Sequence, residues 1–144
     1  MDVHESLNLL LVKLFRRINA LEEREICKDE FQNVTLNEIH VIEAIGADSR
    51  KNMSTVAKSL EITTGTLTIS VNSLVKKGLV ERVRSEEDRR VVLISLTELG
   101  RKAYDLHEQF HEKMISEIID KLSEQEIEVF NDSLNKLNDF FEGL

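Results

Sequence analysis

Three groups of residues could do chemistry by type and spacing. Taken as a helix, residues 64–77 place Leu67, Val71, Leu74 and Val75 on one face. Gly65, Thr66, Thr68, Ile69, Asn72, Ser73 and Lys76 then share the other face, which is small, polar and nearly free of acid, and Thr64 at the helix start joins them as a candidate DNA contact. Side chains of that size let a helix enter the major groove of duplex DNA and bond base edges and phosphates. The free N–H groups at the helix start favour a further phosphate. Ser54, expected to cap the preceding short helix, joins this candidate DNA-binding set. Threonine is a poor helix former, and a merely solvated face would carry Glu and Lys instead.

The second group is Ser85-Glu86-Glu87-Asp88-Arg89-Arg90, with Arg84 just before it. Arginines at the tip of a turn can reach a narrow minor groove. A free Asp88 would repel phosphate, so its sensible task is to hold an arginine by a charge-assisted bond. A solubilising turn with ion pairs worth ~0–1 kcal/mol each is the plainer alternative. The helix pair that precedes the turn decides for DNA. In the third group, His107 and His111 stand at i and i+4 on one helix face, a spacing that permits joint ligation of one ion. Hydrogen-bonded helix histidines are the plainer reading there.

The elements that must position these groups can be read from period and caps. Leu7, Leu10, Leu11, Leu14, Phe15, Ile18 and Leu21 give one amphipathic helix over roughly residues 4–26. Residues 27–34 have no period and form a connection. Thr35-x-x-Glu38 is a capping box for a helix ending near Gly46. Residues 47–52 are a polar turn. A short helix holds Val56, Ala57 and Leu60, and Thr63 or Thr64 caps the next, which stops at Gly78. Residues 79–84 and 91–96 are short and β-branched, two antiparallel strands around the charged turn. Thr97 opens a long helix, and Ser123-x-x-Glu126 opens a last one. The fold class is therefore mainly α with a small β-hairpin wing. Residues 35–96 form a winged helix-turn-helix lobe; residues 1–34 and 97–144 form a helical dimerisation region.

Composition agrees with this order. The 144 residues are 41% hydrophobic and 32% charged, ordinary for a folded domain and too apolar for disorder. There is no proline, only five glycines, and one cysteine, which excludes an internal disulfide framework and suits a reducing cytoplasm. No basic n-region precedes the first apolar run, so no signal peptide is expected, and no run is long enough for a membrane span. The net charge of −8 hides an asymmetry. Residues 50–102 hold eleven basic against six acidic residues, net +5, which leaves −13 for the rest. A basic middle on an acidic scaffold is the footprint of a nucleic-acid-binding lobe.

No P-loop, dinucleotide fingerprint or H-E-x-x-H motif points to an enzyme. A helical protein–protein adaptor without DNA binding would suit the acidic ends, but it leaves the basic middle and the Asp-Arg-Arg turn unexplained. The apolar first and last helices, with Phe130, Phe140 and Phe141 in the final fifteen residues, need a cover that a second copy can supply.

Thr63-Thr64-Gly65-Thr66-Leu67-Thr68, Leu74-Val75-Lys76-Lys77-Gly78-Leu79-Val80-Glu81-Arg82, Asp88-Arg89-Arg90 and Leu96-Thr97-Glu98-Leu99-Gly100 resemble the MarR family of bacterial transcription regulators. The resemblance implies a homodimeric cytoplasmic repressor on a pseudo-palindromic operator, with half-sites about 34–36 Å apart. It also implies that Asp88 orients an arginine, that Arg90 is the minor-groove finger, and that Arg89 lies near the backbone. The run from Glu81 to Val92, with Leu106-His107 and Phe110-His111 downstream, is similar to the FabT-type branch, the fatty-acid-synthesis repressors. That branch implies acyl–acyl carrier protein as corepressor. Phe15, Ile18, Ile39 and Phe110 would line its acyl slot, and Arg16, Arg17 or Arg24 would meet the acidic carrier. A zinc-responsive branch, regulating metal uptake, is the alternative. There Glu22 and His40 resemble the ligands that join His107 and His111, while Ile39 and Leu106 stand where its second site has acids. Cys27 could suggest peroxide sensing, but it does not match the N-terminal cysteine of that branch.

Overall fold

The computed structural model describes residues 1–144. It divides into two compact units, residues 1–108 and 109–144.

The first unit opens with α1 (Val3–Asn8), held by a capping box between Asp2 and Glu5. A π-helical stretch, Leu9–Leu14, separates it from α2 (Phe15–Ile26). One uninterrupted α-helix was expected over residues 4–26. The run Leu9-Leu10-Leu11-Val12 is apolar at every position, so no 3.6-residue period marks where the wider π turn replaces the α turn. The connection after α2 contains a 3₁₀ turn, Asp29–Phe31, whose Phe31 is fully buried, as is Val34.

α3 (Leu36–Ile45) starts at the expected capping box. The Glu38 amide donates to Thr35 Oγ1 at 3.1 Å, and the Thr35 amide to Glu38 Oε1 at 3.0 Å. It ends at Gly46, whose φ of 85° a side chain rarely adopts. The polar stretch that follows is more than a turn. Lys51–Asn52 forms β1, antiparallel to a later strand. Asn52 Oδ1 also accepts from the Thr55 amide at 2.7 Å and so caps α4 (Met53–Ser59). Ser54, expected in that role, is already inside the helix, because Asn52 has the extended backbone an N-cap requires.

Thr63 caps α5 (Thr64–Lys76), accepting from the Thr66 amide at 3.1 Å. β2 (Val80–Arg84) and β3 (Val92–Leu96) pair antiparallel from Val80↔Leu96 to Arg84↔Val92. The sheet has three strands in the order β1-β3-β2 rather than the two expected. The third was hidden because two residues are too short for a period-2 signal. The core is Ile39, Ile42, Ile45, Val56, Leu67, Val71, Leu74, Leu79 and Ile94, all essentially without solvent contact. Each such side chain contributes about 1.5–3 kcal/mol. α6 (Glu98–Ile119) starts against the same core: the Thr97 amide donates to Leu79 O at 3.0 Å, and the Thr97 hydroxyl to Gly78 O at 2.6 Å.

The second unit holds the rest of α6 and α7 (Glu124–Glu142), which starts at the expected Ser123–Glu126 capping box. Ile115, Ile118, Ile119, Ile127, Phe130 and Leu134 line an apolar cleft of about 380 Å³ there. No helix of the chain is long and apolar enough to cross a membrane.

Candidate nucleic-acid interface

α5 divides as its sequence requires. Leu67, Val71 and Leu74 are buried, while Thr64, Gly65, Thr66, Thr68, Ile69, Asn72 and Lys76 are exposed and Ser73 is half-buried. Ser54 on α4 is exposed as well. Ile69 keeps 73% of its surface in solvent. An isoleucine that open, with hydroxyls around it, suits contact with a thymine methyl. The Thr68 hydroxyl donates to Thr64 O at 2.7 Å, so its lone pairs remain outward as acceptors. No acidic side chain stands on this face.

The far end of α5 is clamped. Lys77 Nζ donates to Glu38 Oε1 at 2.7 Å and to Asn33 O at 2.6 Å. Glu38 is buried. Burial pushes its pKa up, but Lys77 and the Thr35 amide outweigh that and hold it below the usual 4.5. The clamp joins the helix to α3 and to the connection after α2.

In the wing, Arg90 Nε and Nη2 both donate to the Asp88 carboxylate, at 3.1 and 3.2 Å, and the Arg90 amide donates to the same group. This two-pronged bond fixes the guanidinium plane. Arg90 holds the Asp88 carboxyl below its ordinary value. The Arg90 side chain is 91% exposed, although Asp88 holds the Nε–Nη2 edge of its guanidinium. Arg84 Nη1 donates to Arg89 O at 2.9 Å and so braces the turn, while the Arg89 side chain is exposed.

Arg84 on β2 is among the expected DNA contacts, and Arg82 joins it only in the folded chain. Both lie on one face of the strand, two residues apart. Arg82 Nη2 donates to Asn72 Oδ1, which ties the wing to the exposed face of α5. The alternation Arg82-x-Arg84 was the available signal.

Glu22 is buried between two of the expected histidines. Its Oε1 lies 3.1 Å from His107 Nε2 and its Oε2 lies 3.5 Å from His40 Nε2. His107 is buried too, and its Nδ1 faces the Glu43 carboxylate. His111 follows one turn later on α6, half-buried, with Phe110 edge-on to it. The other effector candidates differ in burial. Ile39 is core, Ile18 and Phe110 are half-buried, and Phe15 is 64% exposed, so Ile39 offers no surface to a slot in the single chain. Arg16, Arg17 and Arg24 are exposed. Cys27 is half-buried, and burial pushes its thiol pKa up, the opposite of what a peroxide sensor needs.

Comparison with known proteins bears on this geometry. A family model for the transcriptional regulators SarA and Rot matches residues 24–107. FabT of Streptococcus pneumoniae, solved in complex with DNA, is 40% identical over 97% of this chain and 98% of its own, with a TM-score of 0.90. The transcriptional regulator ZitR of Lactococcus lactis is 30% identical over 111 residues, 75% of this chain and 76% of its own. A MepR variant of Staphylococcus aureus bound to an oligodeoxyribonucleotide is similar in fold, with a TM-score of 0.64 at 19% identity over 98% of this chain and 99% of its own.

Proposed function

This chain belongs to the MarR/SarA family of DNA-binding transcriptional regulators, and from that premise we propose that it is a cytoplasmic, homodimeric repressor of fatty-acid-synthesis genes. Thr64, Gly65, Thr66, Thr68, Ile69, Asn72, Ser73 and Lys76 enter the major groove of a pseudo-palindromic operator. Ser54, Arg84 and Arg89 sit at the backbone, and Arg90, oriented by Asp88, enters the minor groove. The observation that carries this placement is the acid-free exposed face of α5 beside an arginine locked at the wing tip.

Residues 1–34 and 97–144 supply the dimer contacts. Support comes from apolar side chains left in solvent in each unit: Leu9, Leu11, Val12 and Leu14 in the first, and Phe130, Phe140 and Phe141 in the second. Acyl–acyl carrier protein is the corepressor on this reading, supported by the 40% identity to FabT. The test selects an operator from a random-duplex library and measures affinity with acylated and unacylated carrier protein. Tighter binding only with the acylated form, and a weaker Arg90→Ala variant, are expected. Equal affinity in all three states would remove the corepressor and the wing contact together.

Zinc is the second reading, favoured by the donor set around Glu22. Ligands at 2.0–2.1 Å in a tetrahedron stand roughly 3.3 Å apart; Glu22 Oε1 and His107 Nε2, 3.1 Å apart, fit that edge, while His40 Nε2 lies 3.5 Å from the other carboxylate oxygen, so one ion would meet both histidines through a two-oxygen Glu22. The Glu43 carboxylate at the other ring nitrogen of His107 is the partner a ligating histidine uses. Glu22, His40 and His107 would hold the ion, which would tie α2, α3 and the start of α6 together. Calorimetric titration with zinc decides. Binding that is lost in both Glu22→Gln and His107→Ala supports zinc, and its absence in the wild type rejects it.

A further inference from the structure

We propose that Arg82 is a specificity-positioning residue: by fixing the Asn72 carboxamide, it makes the helix read guanine rather than adenine at one position of each half-site. The inference rests on the placement of α5 in the major groove.

Asn72 is exposed in the third turn of α5, in line with Ile69 and Lys76. Its amide has one acceptor oxygen and one donor NH₂ group, and rotation by half a turn exchanges them. A freely rotating asparagine therefore offers an adenine both partners it needs, accepting from N6 and donating to N7. Here the oxygen's direction is set, with one of its two lone pairs taken. Arg82 Nη2 donates to Asn72 Oδ1 from β2. A guanidinium carries donors only, so the oxygen must face it and the NH₂ group must face away. The orientation thus follows from chemistry and is not a choice between two similar atoms.

What remains outward on Asn72 is a donor. Guanine is the base whose major-groove edge offers two adjacent acceptors, O6 and N7. Adenine sets its own N6 donor beside N7, which would oppose the locked NH₂ group. Arg82 itself stands on the strand, outside the recognition helix, and two residues before Arg84 on the same face of β2. It acts through Asn72. The wing thereby takes part in major-groove reading, as well as in backbone and minor-groove contact.

The test is selection from a random-duplex library by the full-length wild type, Asn72→Ala and Arg82→Met, followed by affinity measurements on single-base variants across a salt series. Thermal denaturation checks that the variants fold, which the exposure of both residues favours. The wild type should prefer guanine at one position per half-site by roughly ten-fold, and replacement of that base by 7-deazaguanine should weaken binding. Asn72→Ala should erase the preference there and nowhere else. Arg82→Met should change the same position, with adenine now bound as well as guanine. Were Arg82 only a phosphate contact, Arg82→Met would weaken all sequences alike and reduce the salt slope by about one, with base preference intact. That result overturns the inference while the placement of α5 stands. No change at any position in Asn72→Ala overturns both.

Discussion

Replacement of Gly100 by alanine should destabilise the protein strongly, although alanine is the better helix former. Gly100 lies in the first turn of α6. A Cβ there would stand 2.0 Å from Leu79 O and 3.0 Å from Leu79 C. Real Cβ atoms essentially never come within 3.0 Å of such a neighbour, so helix and strand entry must separate by at least about 1 Å. Leu79 O accepts from the Thr97 amide at 3.0 Å, and the Thr97 hydroxyl donates to Gly78 O at 2.6 Å. A shift of that size carries both bonds beyond useful length. Their loss costs about 1 kcal/mol each. Forced repacking around the buried Leu79 and Ala103 adds ~1–3 kcal/mol. Alanine returns at most ~1 kcal/mol of helix propensity. The net loss is about 2–4 kcal/mol. Urea unfolding at fixed protein concentration should show the midpoint falling by roughly 1–2 M. A midpoint equal to or above the parent's would refute the close approach. Gly65→Ala is the matched control, because its Cβ would meet only Thr63 Oγ1 at 3.9 Å. It should fold as well as the parent or up to ~1 kcal/mol better, yet bind operator more weakly, since the new methyl stands on the surface proposed to enter the groove.

Lys77→Met should cost about 2 kcal/mol near neutral pH by leaving the Glu38 carboxylate buried without its cation. Because the folded-state pKa of Glu38 lies below the ordinary 4.5, this contribution is present above pH 4.5 and fades as pH falls through the folded value. Urea midpoints of wild type and variant should therefore converge in acid; a gap that stays constant down to pH 3 would rule the clamp out. Arg90→Ala should lower operator affinity about ten-fold and reduce the salt slope by roughly one, and it should leave thermal stability within ~0.5 kcal/mol. A variant that binds like the parent at matched salt would take the wing tip off the DNA. Phe130→Asp should lower the subunit count seen by sedimentation from two to one, given that Phe130 is 46% exposed in the single chain. An unchanged dimer would place the interface elsewhere.

Local chemistry was legible without coordinates. Thr35, Thr63 and Ser123 cap helices by bonds to amides three residues away, and α3 and α5 stop where Gly46 and Gly78 take positive φ. Both strands of the wing, and the bond from Arg90 to Asp88, also span few residues. Such signals are readable because both partners sit within one turn of chain, so residue type and spacing alone bring them together. The exposed face of α5 belongs here too, since its 3.6-residue period separates the two faces before any packing exists.

Other features needed the packed chain. Asn52, not the expected Ser54, caps α4, and no local period announces β1, which exists only because β3 is there to pair with it. Arg82 meets Asn72 across ten residues, Lys77 meets Glu38 across thirty-nine, and His107 meets Glu22 across eighty-five. The place of Gly100 against Leu79 is of the same kind. These contacts depend on how the helices and sheet close over a shared apolar core, and hydrophobic burial is non-directional. Composition can require that a core form; only the assembled elements decide which polar side chains meet at its edge.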